Sequence, residues 1–270
     1  MSLERDLGEL AADIAREAGG LARRRRQEGV HLAATKSTLA DIVTDADREV
    51  EALIRARLRA ERPGDGFLGE ESGAEAGDTD ITWVVDPIDG TVNYAYGIPA
   101  YNVSIAAVRG SADPDAWEAL AGAVFAPVHD ELFTAARGHG AWLGSTRLAV
   151  TTDSAAAGAL LGTGFGYDPA THEGDLATVR GVMPMARDLR RMGAAALDLA
   201  YVAAGRLDGY FERGLAPWDI AAGALLVTEA GGKFSRIDAD SSRPMVIAGG
   251  VDVHDRLLAL ISDPSSQAKR

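Results

Sequence analysis

Cysteine is absent from this sequence, and basic residues are scarce. The 270 residues include no Cys, 27 Lys or Arg and 40 Asp or Glu, so the formal net charge is -13. Without cysteine, disulfide bonds and thiolate metal sites are excluded. Affinity for nucleic acid and for anionic membranes depends largely on Lys and Arg, so the acidic balance argues against direct binding of either partner.

Long apolar runs and a recognisable leader are missing as well. No apolar run approaches the roughly 20 residues that span a bilayer, and the first five residues, MSLER, lack the basic-then-apolar layout of a signal peptide. We therefore expect a cytoplasmic protein without a membrane span. The hydrophobic content of 47% and the charged content of 25% are typical of a globular protein.

Two amphipathic helices are predicted near the beginning of the chain. Apolar residues recur at spacings of three or four over residues 3–26, which end in a run of four arginines. Cations at that end complement the helix macrodipole, so we interpret the run as a solvated helix end rather than an anion-binding patch. A second helix is predicted from Asp45 or Asp47 to Ala60, with Pro63-Gly64 beyond its end.

The middle and the end of the chain show different patterns. Short β-forming stretches separated by Gly, Pro and Asp cover residues 103–108, 121–127, 131–135 and 147–151. The short returns between these stretches favour an antiparallel sheet. Later in the chain, short apolar runs alternate with predicted helices, as in an α/β protein. These helices cover residues 194–204, 222–230 and 253–261.

This change of pattern predicts two lobes. We assign residues 1–152 to an N-terminal α+β lobe and residues 153–264 to a C-terminal α/β lobe. Residues 265–270 are predicted to form a disordered tail. A chain of this length fits one large domain or two closely joined ones.

Two features that resemble functional motifs are interpreted as structural. The glycine-rich segment 161–166 lacks the helix-opening GxGxxG spacing, so we read it as a strand leading into a loop rather than a phosphate cradle. The five histidines form no pair with the spacing of metal ligands, and we interpret all of them as non-catalytic.

Acidic residues follow two apolar runs. Glu70 and Glu71 end the first run, and Asp86 and Asp89 end the second. Hard cations such as Mg²⁺ prefer carboxylate oxygens, and a turn leaving a strand would let both aspartates face one cavity. A helix beginning after the second run would offer its N–H groups and positive dipole end to a phosphate. The alternative is that these acids are surface residues or helix caps.

Several motifs, taken in chain order, resemble the inositol monophosphatase family. Together they are specific to that family, although none is specific alone. They are Lys36 with residues 41–44 (DIVT) and Asp47, residues 67–72 (FLGEES), 86–91 (DPIDGT), 193–197 (GAAAL), 218–223 (WDIAAG) and 228–232 (TEAGG).

The resemblance implies both a fold and an activity. The fold is an αβαβα layered sandwich of mixed α+β and α/β character, with an antiparallel sheet in the N-terminal lobe and a smaller mixed sheet in the C-terminal lobe. The activity is hydrolysis of a phosphate monoester with two to three Mg²⁺ ions, by a homodimer that Li⁺ inhibits. The expected substrate is a small phosphorylated polyol or sugar-like molecule, with inositol 1-phosphate as the leading candidate.

The resemblance also implies a set of metal ligands. Glu70, Asp86 and the Ile88 carbonyl would hold a first ion. A second ion would be held by Asp86, Asp89 and Asp219, and Glu70 would also lie near a third, weakly held ion. Metal ions in such a site activate water for attack on phosphorus and stabilise the leaving alkoxide.

Further roles follow from the same resemblance. Glu70 and Thr91, with Thr91 supported by Asp47, would orient and deprotonate the attacking water, and Lys36 would supply a nearby cation. The implied substrate contacts are Asp89, Gly90, Thr91, Gly193, Ala194, Ala195, Glu212 and Asp219.

Two of these substrate positions leave alternatives open. Ala194 stands where relatives often carry Ser or Thr, so a hydroxyl donor to the substrate is missing there. Glu212 ends a strand-like stretch, residues 207–211, and an exposed position is its alternative.

Other functions fit the same residues. Histidinol phosphate, fructose 1,6-bisphosphate and 3′-phosphoadenosine 5′-phosphate are handled by similar metal sites on this fold. A regulatory protein that binds the transcription machinery is an alternative of another class. A third alternative is a purely structural ion site.

Overall fold

The computed structural model describes residues 2–29, 32–35, 42–110, 113–152, 158–237 and 241–262. Its α-helices are α1 (Leu3–Glu28), α2 (Asp45–Glu61), α3 (Thr91–Tyr96), α4 (His172–Val182), α5 (Ala195–Ala203), α6 (Pro217–Glu229) and α7 (Val251–Ser262). Its strands are β1 (Leu32–Thr35), β2 (Ile42–Thr44), β3 (Gly66–Gly69), β4 (Gly73–Glu75), β5 (Ile81–Asp89), β6 (Asn102–Arg109), β7 (Glu118–Ala126), β8 (Glu131–Ala136), β9 (Gly140–Leu143), β10 (Thr146–Arg147), β11 (Ala159–Thr163), β12 (Ala186–Arg190), β13 (Gly209–Arg213), β14 (Lys233–Ile237) and β15 (Met245–Gly249).

Helices α1 and α2 confirm the two helices predicted from apolar periodicity. In α1, Leu7, Ile14 and Leu21 lie on one buried face, which packs on β6 and β7. Acidic residues occupy its first turn and arginines its last turn, as the helix dipole favours. In α2, Val50 and Ile54 are fully buried.

An eight-stranded sheet has the order β10-β9-β8-β7-β6-β5-β3-β4. Its neighbouring strands are antiparallel, as predicted, except for β3 and β5, which pair in parallel. The expectation of an antiparallel sheet is wrong for this pair. Strand β4 folds back on β3, and the loop after β4 brings the chain to the end where β3 begins, so β5 runs in the same direction as β3. The carboxyl ends of β3 and β5 therefore lie at the same edge.

A five-stranded mixed sheet has the order β12-β11-β13-β15-β14. Strand β11 pairs in parallel with β12 and with β13, whereas β15 is antiparallel to β13 and β14. The crossovers between the parallel strands pass through α4 and α5. The predicted smaller mixed sheet is confirmed.

The helices and the two sheets form an αβαβα sandwich. Helices α1 and α2 cover the outer face of the eight-stranded sheet, α5 and α6 lie between the two sheets, and α4 and α7 cover the outer face of the five-stranded sheet. Because α5 packs against apolar surface on both sides, its residues from Ala195 to Ala200 are all buried. The predicted layered fold is confirmed.

Some predictions about the chain are corrected or fall outside the described residues. The predicted strand 147–151 is wrong beyond Arg147, because the N–H groups of Leu148 and Val150 bond to Ala141 and Ala230 outside the sheet ladder. The predicted tail, 265–270, lies outside the described residues, and the division between lobes at residue 152 stays a prediction. Among the described residues, no helix is both long and apolar enough to cross a membrane.

Candidate active site

A cavity of about 600 Å³ opens where the carboxyl ends of β3 and β5 meet the beginnings of α5 and α6. Both the N-terminal and the C-terminal part of the chain supply its walls. The predicted site residues that line it are Glu70, Asp86, Ile88, Asp89, Gly90, Thr91, Gly193, Ala194, Ala195, Glu212 and Asp219.

The parallel pairing of β3 and β5 explains why Glu70 and Asp86 are neighbours. Gly69 lies opposite Val85 in the sheet, so Glu70, which follows β3, and Asp86, which lies within β5, fall at the same edge. The Glu70 N–H continues the pairing by donating to the Val85 carbonyl at 3.2 Å. Glu71 is not among the residues that line the cavity, and its backbone N–H donates to the Glu51 carboxylate at 2.8 Å.

Three aspartates converge at the base of the cavity. Carboxylate oxygens of Asp86, Asp89 and Asp219 all lie within 4.8 Å of one another. Asp86 is 2% exposed and Asp89 is 7% exposed. Among the described residues, no Lys or Arg forms an ion pair with any of the three. Buried carboxylates are normally paired with a cation or coordinate a metal, so this cluster is unusual for a structural feature.

Burial and mutual repulsion disfavour the charged form of these acids. Burial raises the pKa of Asp86 well above that of an ordinary Asp, and the carboxylate of Glu70 adds to the shift. Burial also raises the pKa of Asp219, with the charge of Asp89 as the second cause. For Asp89, burial raises the pKa to about 6. Hydrogen bonds from Asn102 and the α5 backbone act in the opposite direction and limit the rise.

Asp89 caps the first turn of α5 from another part of the chain. Its Oδ1 accepts the Ala195 N–H at 3.1 Å, and its Oδ2 accepts the Ala196 N–H at 2.8 Å and the Asn102 side-chain amide at 2.6 Å. The N-cap residue Ala194 has no side-chain acceptor of its own. Each carboxylate oxygen has two lone pairs, so Oδ1 retains one for a cation.

Asp219, at the start of α6, also combines a helix-capping bond with a place in the acid cluster. Its Oδ2 accepts the Ala216 N–H at 2.7 Å, which fixes the carboxylate at the helix N-terminus, and Pro217 begins the helix. The capping alternative from the sequence is therefore observed. It does not exclude a ligand role, because the same carboxylate lies in the acid cluster.

Gly90 and Thr91 form the turn that follows the second acidic run. Gly90 has φ +89°, and a Cβ there would lie 2.8 Å from the Ala100 carbonyl oxygen, so both conformation and space require glycine. The Thr91 hydroxyl lies 3.1 Å from the Ile88 carbonyl and 3.3 Å from Asp47 Oδ1. The structure thus brings Thr91 and Asp47 together. Lys36 lies outside the described residues.

Asn93 is a site-building residue that the sequence analysis missed. Its side-chain amide donates to the carbonyls of Ala100 and Met192, each at 2.7 Å. These bonds tie the turn after β5 to the loop that carries Gly193, which has φ +79°. Polar residues after a DPIDGT motif give no sequence signal for such a long-range contact, which depends on the tertiary fold.

Glu212 lies within β13 rather than beyond a strand end, and its side chain is partly buried at the cavity. Burial raises its pKa to about 7, against a hydrogen bond from Tyr210. Arg191 and Tyr167 also line the cavity, and no sequence motif assigned them a role. The side chain of Ala194 is buried, so it offers the cavity only a methyl group.

The donor set fits a hard divalent cation. Three carboxylates converge, their repulsion is uncompensated by Lys or Arg among the described residues, and the Ile88 carbonyl and Glu70 border the same cavity. Oxygen ligands of this kind are preferred by Mg²⁺. A positive ion between them would favour the charged carboxylates, which burial and mutual repulsion disfavour.

The layered fold and the carboxylate cavity define a class of phosphatases, and comparison with known proteins identifies the family. A model described as "Inositol monophosphatase family" matches residues 4–268, and the chain belongs to this family. The resemblance predicted from the motifs is thus confirmed. Membership supports the coarser assignment of a phosphomonoesterase that acts on small phosphorylated molecules.

Individual relatives are similar to this chain over most of their length. "Inositol-1-monophosphatase SuhB" of Mycobacterium tuberculosis H37Rv is 43% identical over 94% of this chain and 93% of that protein. "Nus factor SuhB" of Haemophilus influenzae is 40% identical over 86% of each chain. Among solved structures, SuhB from Bartonella henselae has a TM-score of 0.85 and 36% identity, covering 95% of this chain and 98% of that one.

Proposed function

We propose that this chain is a Mg²⁺-dependent phosphomonoesterase whose preferred substrate is inositol 1-phosphate. The convergence of Asp86, Asp89 and Asp219 beside Gly90 and Thr91 carries the proposal. An acid cluster of this kind binds divalent cations, and a phosphate would meet those cations at the mouth of the cavity. Names of relatives such as "Inositol-1-monophosphatase" support the choice of ester.

Two to three Mg²⁺ ions are proposed for the site. Asp86, Asp89 and Asp219 would supply most of the ligands, with Glu70 and the Ile88 carbonyl completing the set. When bound, Mg²⁺ neutralises the phosphate charge and lowers the pKa of water.

Thr91, Asp47 and Glu70 are proposed to position the attacking water. The Thr91 hydroxyl hydrogen can point to Asp47 Oδ1 at 3.3 Å or to the Ile88 carbonyl at 3.1 Å. Either bond leaves lone pairs on the Thr91 oxygen, which can then accept a hydrogen bond from water. Glu70 borders the same cavity and would take the proton that the water loses. Lys36 is proposed as a nearby cation.

Backbone groups and Glu212 are proposed to bind the rest of the substrate. The N–H groups of Gly90 and Thr91 would hold the phosphate at the turn before α3. The backbone of residues 193–195, together with Glu212, would meet the polyol hydroxyls. Because Ala194 contributes no hydroxyl, recognition of the polyol depends more heavily on Glu212.

Phosphate release from inositol 1-phosphate tests the proposal. The purified protein, first treated with EDTA, is assayed with and without added Mg²⁺, and we expect release only with Mg²⁺. A panel of fructose 1,6-bisphosphate, histidinol phosphate and 3′-phosphoadenosine 5′-phosphate ranks the substrates. No release from any of these esters contradicts the phosphatase and favours a structural ion site.

Three further properties belong to this proposal. We expect Li⁺ to inhibit phosphate release, a homodimer in light-scattering measurements at micromolar concentration, and a cytoplasmic location. Each is an extension of the family resemblance. None depends on which ester is preferred.

Binding to the transcription machinery is a second candidate function. Relatives named "Nus factor SuhB" in Haemophilus influenzae and Salmonella typhimurium, 40% and 38% identical, favour it. The variant Asp86→Asn separates the two functions. A cellular phenotype that survives loss of phosphatase activity in this variant supports the binding role, whereas a phenotype lost with the activity supports the enzyme alone.

A further inference from the structure

The carboxylate of Glu212 is fixed by two residues that the proposed reaction does not otherwise use. Tyr210 and Glu212 are two residues apart in β13, so their side chains project from the same face of the strand. The Tyr210 hydroxyl donates a hydrogen bond to Glu212 Oε2. Tyr210 is fully buried, so its ring and hydroxyl have little freedom to move.

Gly164 makes room for the same carboxylate. A Cβ built on Gly164 would fall within the van der Waals radii of both Glu212 carboxylate oxygens. Gly164 does not have the positive φ that would by itself require glycine. The absence of a side chain at this position is therefore explained by the Glu212 carboxylate, which lies directly against the Gly164 backbone.

A second glycine of this segment accommodates Tyr210. Gly162 lies in β11, which pairs with β13 opposite Tyr210, and a Cβ there would lie 2.9 Å from Tyr210 Cδ2 and 3.0 Å from Leu207 Cδ1. Both distances are shorter than ordinary packing contacts. The glycine-rich segment, which the sequence presents as a phosphate-loop fragment, thus provides space for the Tyr210 ring and the Glu212 carboxylate.

The surroundings of the Tyr210 hydroxyl keep it protonated, so it can donate a hydrogen bond. Burial raises the pKa of Tyr210 well above that of an ordinary tyrosine, and the charges of Glu212 and Asp198 act in the same direction. The hydroxyl is therefore protonated at neutral pH. Above pH 7, where Glu212 is mostly ionised, the hydroxyl donates to the carboxylate and fixes which oxygen of Glu212 faces the protein.

We infer that Tyr210 and Gly164 are positioning residues that determine substrate specificity by holding Glu212 ready to accept a hydrogen bond from a polyol hydroxyl. Tyr210 anchors Oε2, and Gly164 sets how deeply the carboxylate sits in the cavity wall, which leaves Oε1 for the substrate. This inference rests on the proposed contact between Glu212 and the polyol. It predicts discrimination between esters rather than a change in phosphate chemistry.

Two esters that share the phosphate but differ in the alcohol provide the test. Inositol 1-phosphate offers hydroxyls to Glu212, and p-nitrophenyl phosphate offers none. For Tyr210→Phe we expect kcat/KM for inositol 1-phosphate to fall about tenfold, mainly through KM. We expect kcat/KM for p-nitrophenyl phosphate to change less than about twofold. The ratio of the two values is the specificity readout.

A second variant and two controls separate positioning from general destabilisation. Gly164→Ala displaces the carboxylate and should lower the ratio at least as much as Tyr210→Phe. Tyr94→Phe removes another fully buried hydroxyl, which donates to the Ala22 carbonyl at 2.9 Å in the core beneath α1, and should leave the ratio unchanged. Gly174→Ala adds a methyl that meets no atom within 4 Å apart from the nearby backbone of its own helix, and it should also leave the ratio unchanged.

Three outcomes distinguish the hypotheses. A lower ratio in Tyr210→Phe and Gly164→Ala, with no further fall when Glu212→Gln is added, supports positioning through Glu212. An unchanged ratio in Tyr210→Phe, when Glu212→Gln alone lowers it, overturns this inference and leaves the proposed function intact. Absence of phosphate release from both esters by the wild-type protein overturns the proposed function, and the inference with it.

Discussion

Asp65 and Asp86 lie at opposite ends of the parallel strands β3 and β5. Asp65 is a half-buried residue whose side chain is withdrawn from water, whereas Asp86 is buried as a whole. Asp65 accepts hydrogen bonds from Arg62, Thr79 and Trp83 at 2.7 to 3.0 Å. Although burial alone raises the pKa of Asp65, these donors lower it below the usual value. For Asp86, burial and its acidic neighbours raise the pKa instead.

The opposite pKa shifts distinguish Asp65, whose carboxylate stabilises the fold, from Asp86, whose carboxylate belongs to a candidate cation site. Asp65 has its cation and donors within the protein, so its charge is already compensated. Asp86 has other acids as neighbours and no ion pair with a Lys or Arg of the described residues, so an added ion would compensate its charge. Two carboxylates that are both withdrawn from water thus have opposite pKa shifts because their neighbours differ, and each of the following predictions depends on this contrast.

Asp86→Asn is expected to have the largest effect. Asparagine can still accept the Ile88 N–H, which meets Asp86 Oδ1 at 3.1 Å, but it removes a charged metal ligand. We expect kcat/KM for inositol 1-phosphate to fall by about 1000-fold or more, equivalent to roughly 4 kcal/mol. The thermal midpoint of the metal-free protein should rise, because one buried charge is gone. A fall in that midpoint contradicts the repulsion argument.

Added Mg²⁺ is expected to stabilise the folded protein, and more so at high pH. Because the folded pKa values of the cluster lie above the unfolded ones, the stability they contribute is present at low pH. It is lost as pH rises through those values, about 6 for Asp89. Mg²⁺ binds the charged carboxylates, so its benefit grows over the same interval. At 100 times its Kd, we expect about 2.7 kcal/mol at pH 8.

Thermal melts with Mg²⁺ or EDTA at pH 5 and pH 8 measure this dependence. The Asp86→Asn variant serves as the control, and its Mg²⁺-induced shift should be much smaller than that of the wild type. A shift that is equal at the two pH values, or equal in the variant, argues against binding by the cluster.

Asp65→Asn is expected to show the opposite combination of effects. Loss of the carboxylate weakens the bonds from Arg62, Thr79 and Trp83, so the free energy of unfolding should fall by about 1–3 kcal/mol. Phosphate release per folded molecule should be unchanged, because Asp65 lies at the other end of the strands. Urea unfolding and the phosphate assay check both parts, and a selective loss of activity would remove the contrast with Asp86.

Glu49→Gln is expected to have the smallest effect. Glu49 pairs with Arg25 at 2.6 Å, but both side chains are more than 40% exposed. Exposed pairs contribute little because water screens them, so the thermal midpoint should shift by less than about 3 °C. The shift should shrink further in 1 M salt. A shift as large as that of Asp65→Asn indicates that burial is not the deciding variable.

The elements that the sequence predicts best are those marked by local apolar spacing or by a family motif. Helix α1 was predicted from apolar spacing alone, and the layered fold from the family resemblance. Residues 147–151 were predicted as a strand, yet only Thr146–Arg147 pairs as one. Local β-forming composition does not reveal whether a partner strand is available.

The family resemblance predicts eleven of the residues that line the cavity, but it does not predict how these residues are brought together. Glu70 and Asp86 meet because β3 and β5 are parallel, and no pattern in the sequence predicts that these two strands pair with each other. Asn93 joins the turn after β5 to the loop before α5 through contacts about 100 residues apart in sequence. Tyr210 anchors Glu212 through a bond that no motif encodes.

Calorimetric titration of Mg²⁺ into EDTA-treated protein at pH 8, compared between the wild type and Asp86→Asn, tests the central claim most directly. The claim is that the converging carboxylates of Asp86, Asp89 and Asp219 form a cation site. We predict saturable binding to the wild type over the same Mg²⁺ range in which phosphate release from inositol 1-phosphate begins, and strongly weakened binding to the variant. Equal Mg²⁺ affinity in the two proteins, or phosphate release without detectable Mg²⁺ binding, would contradict it.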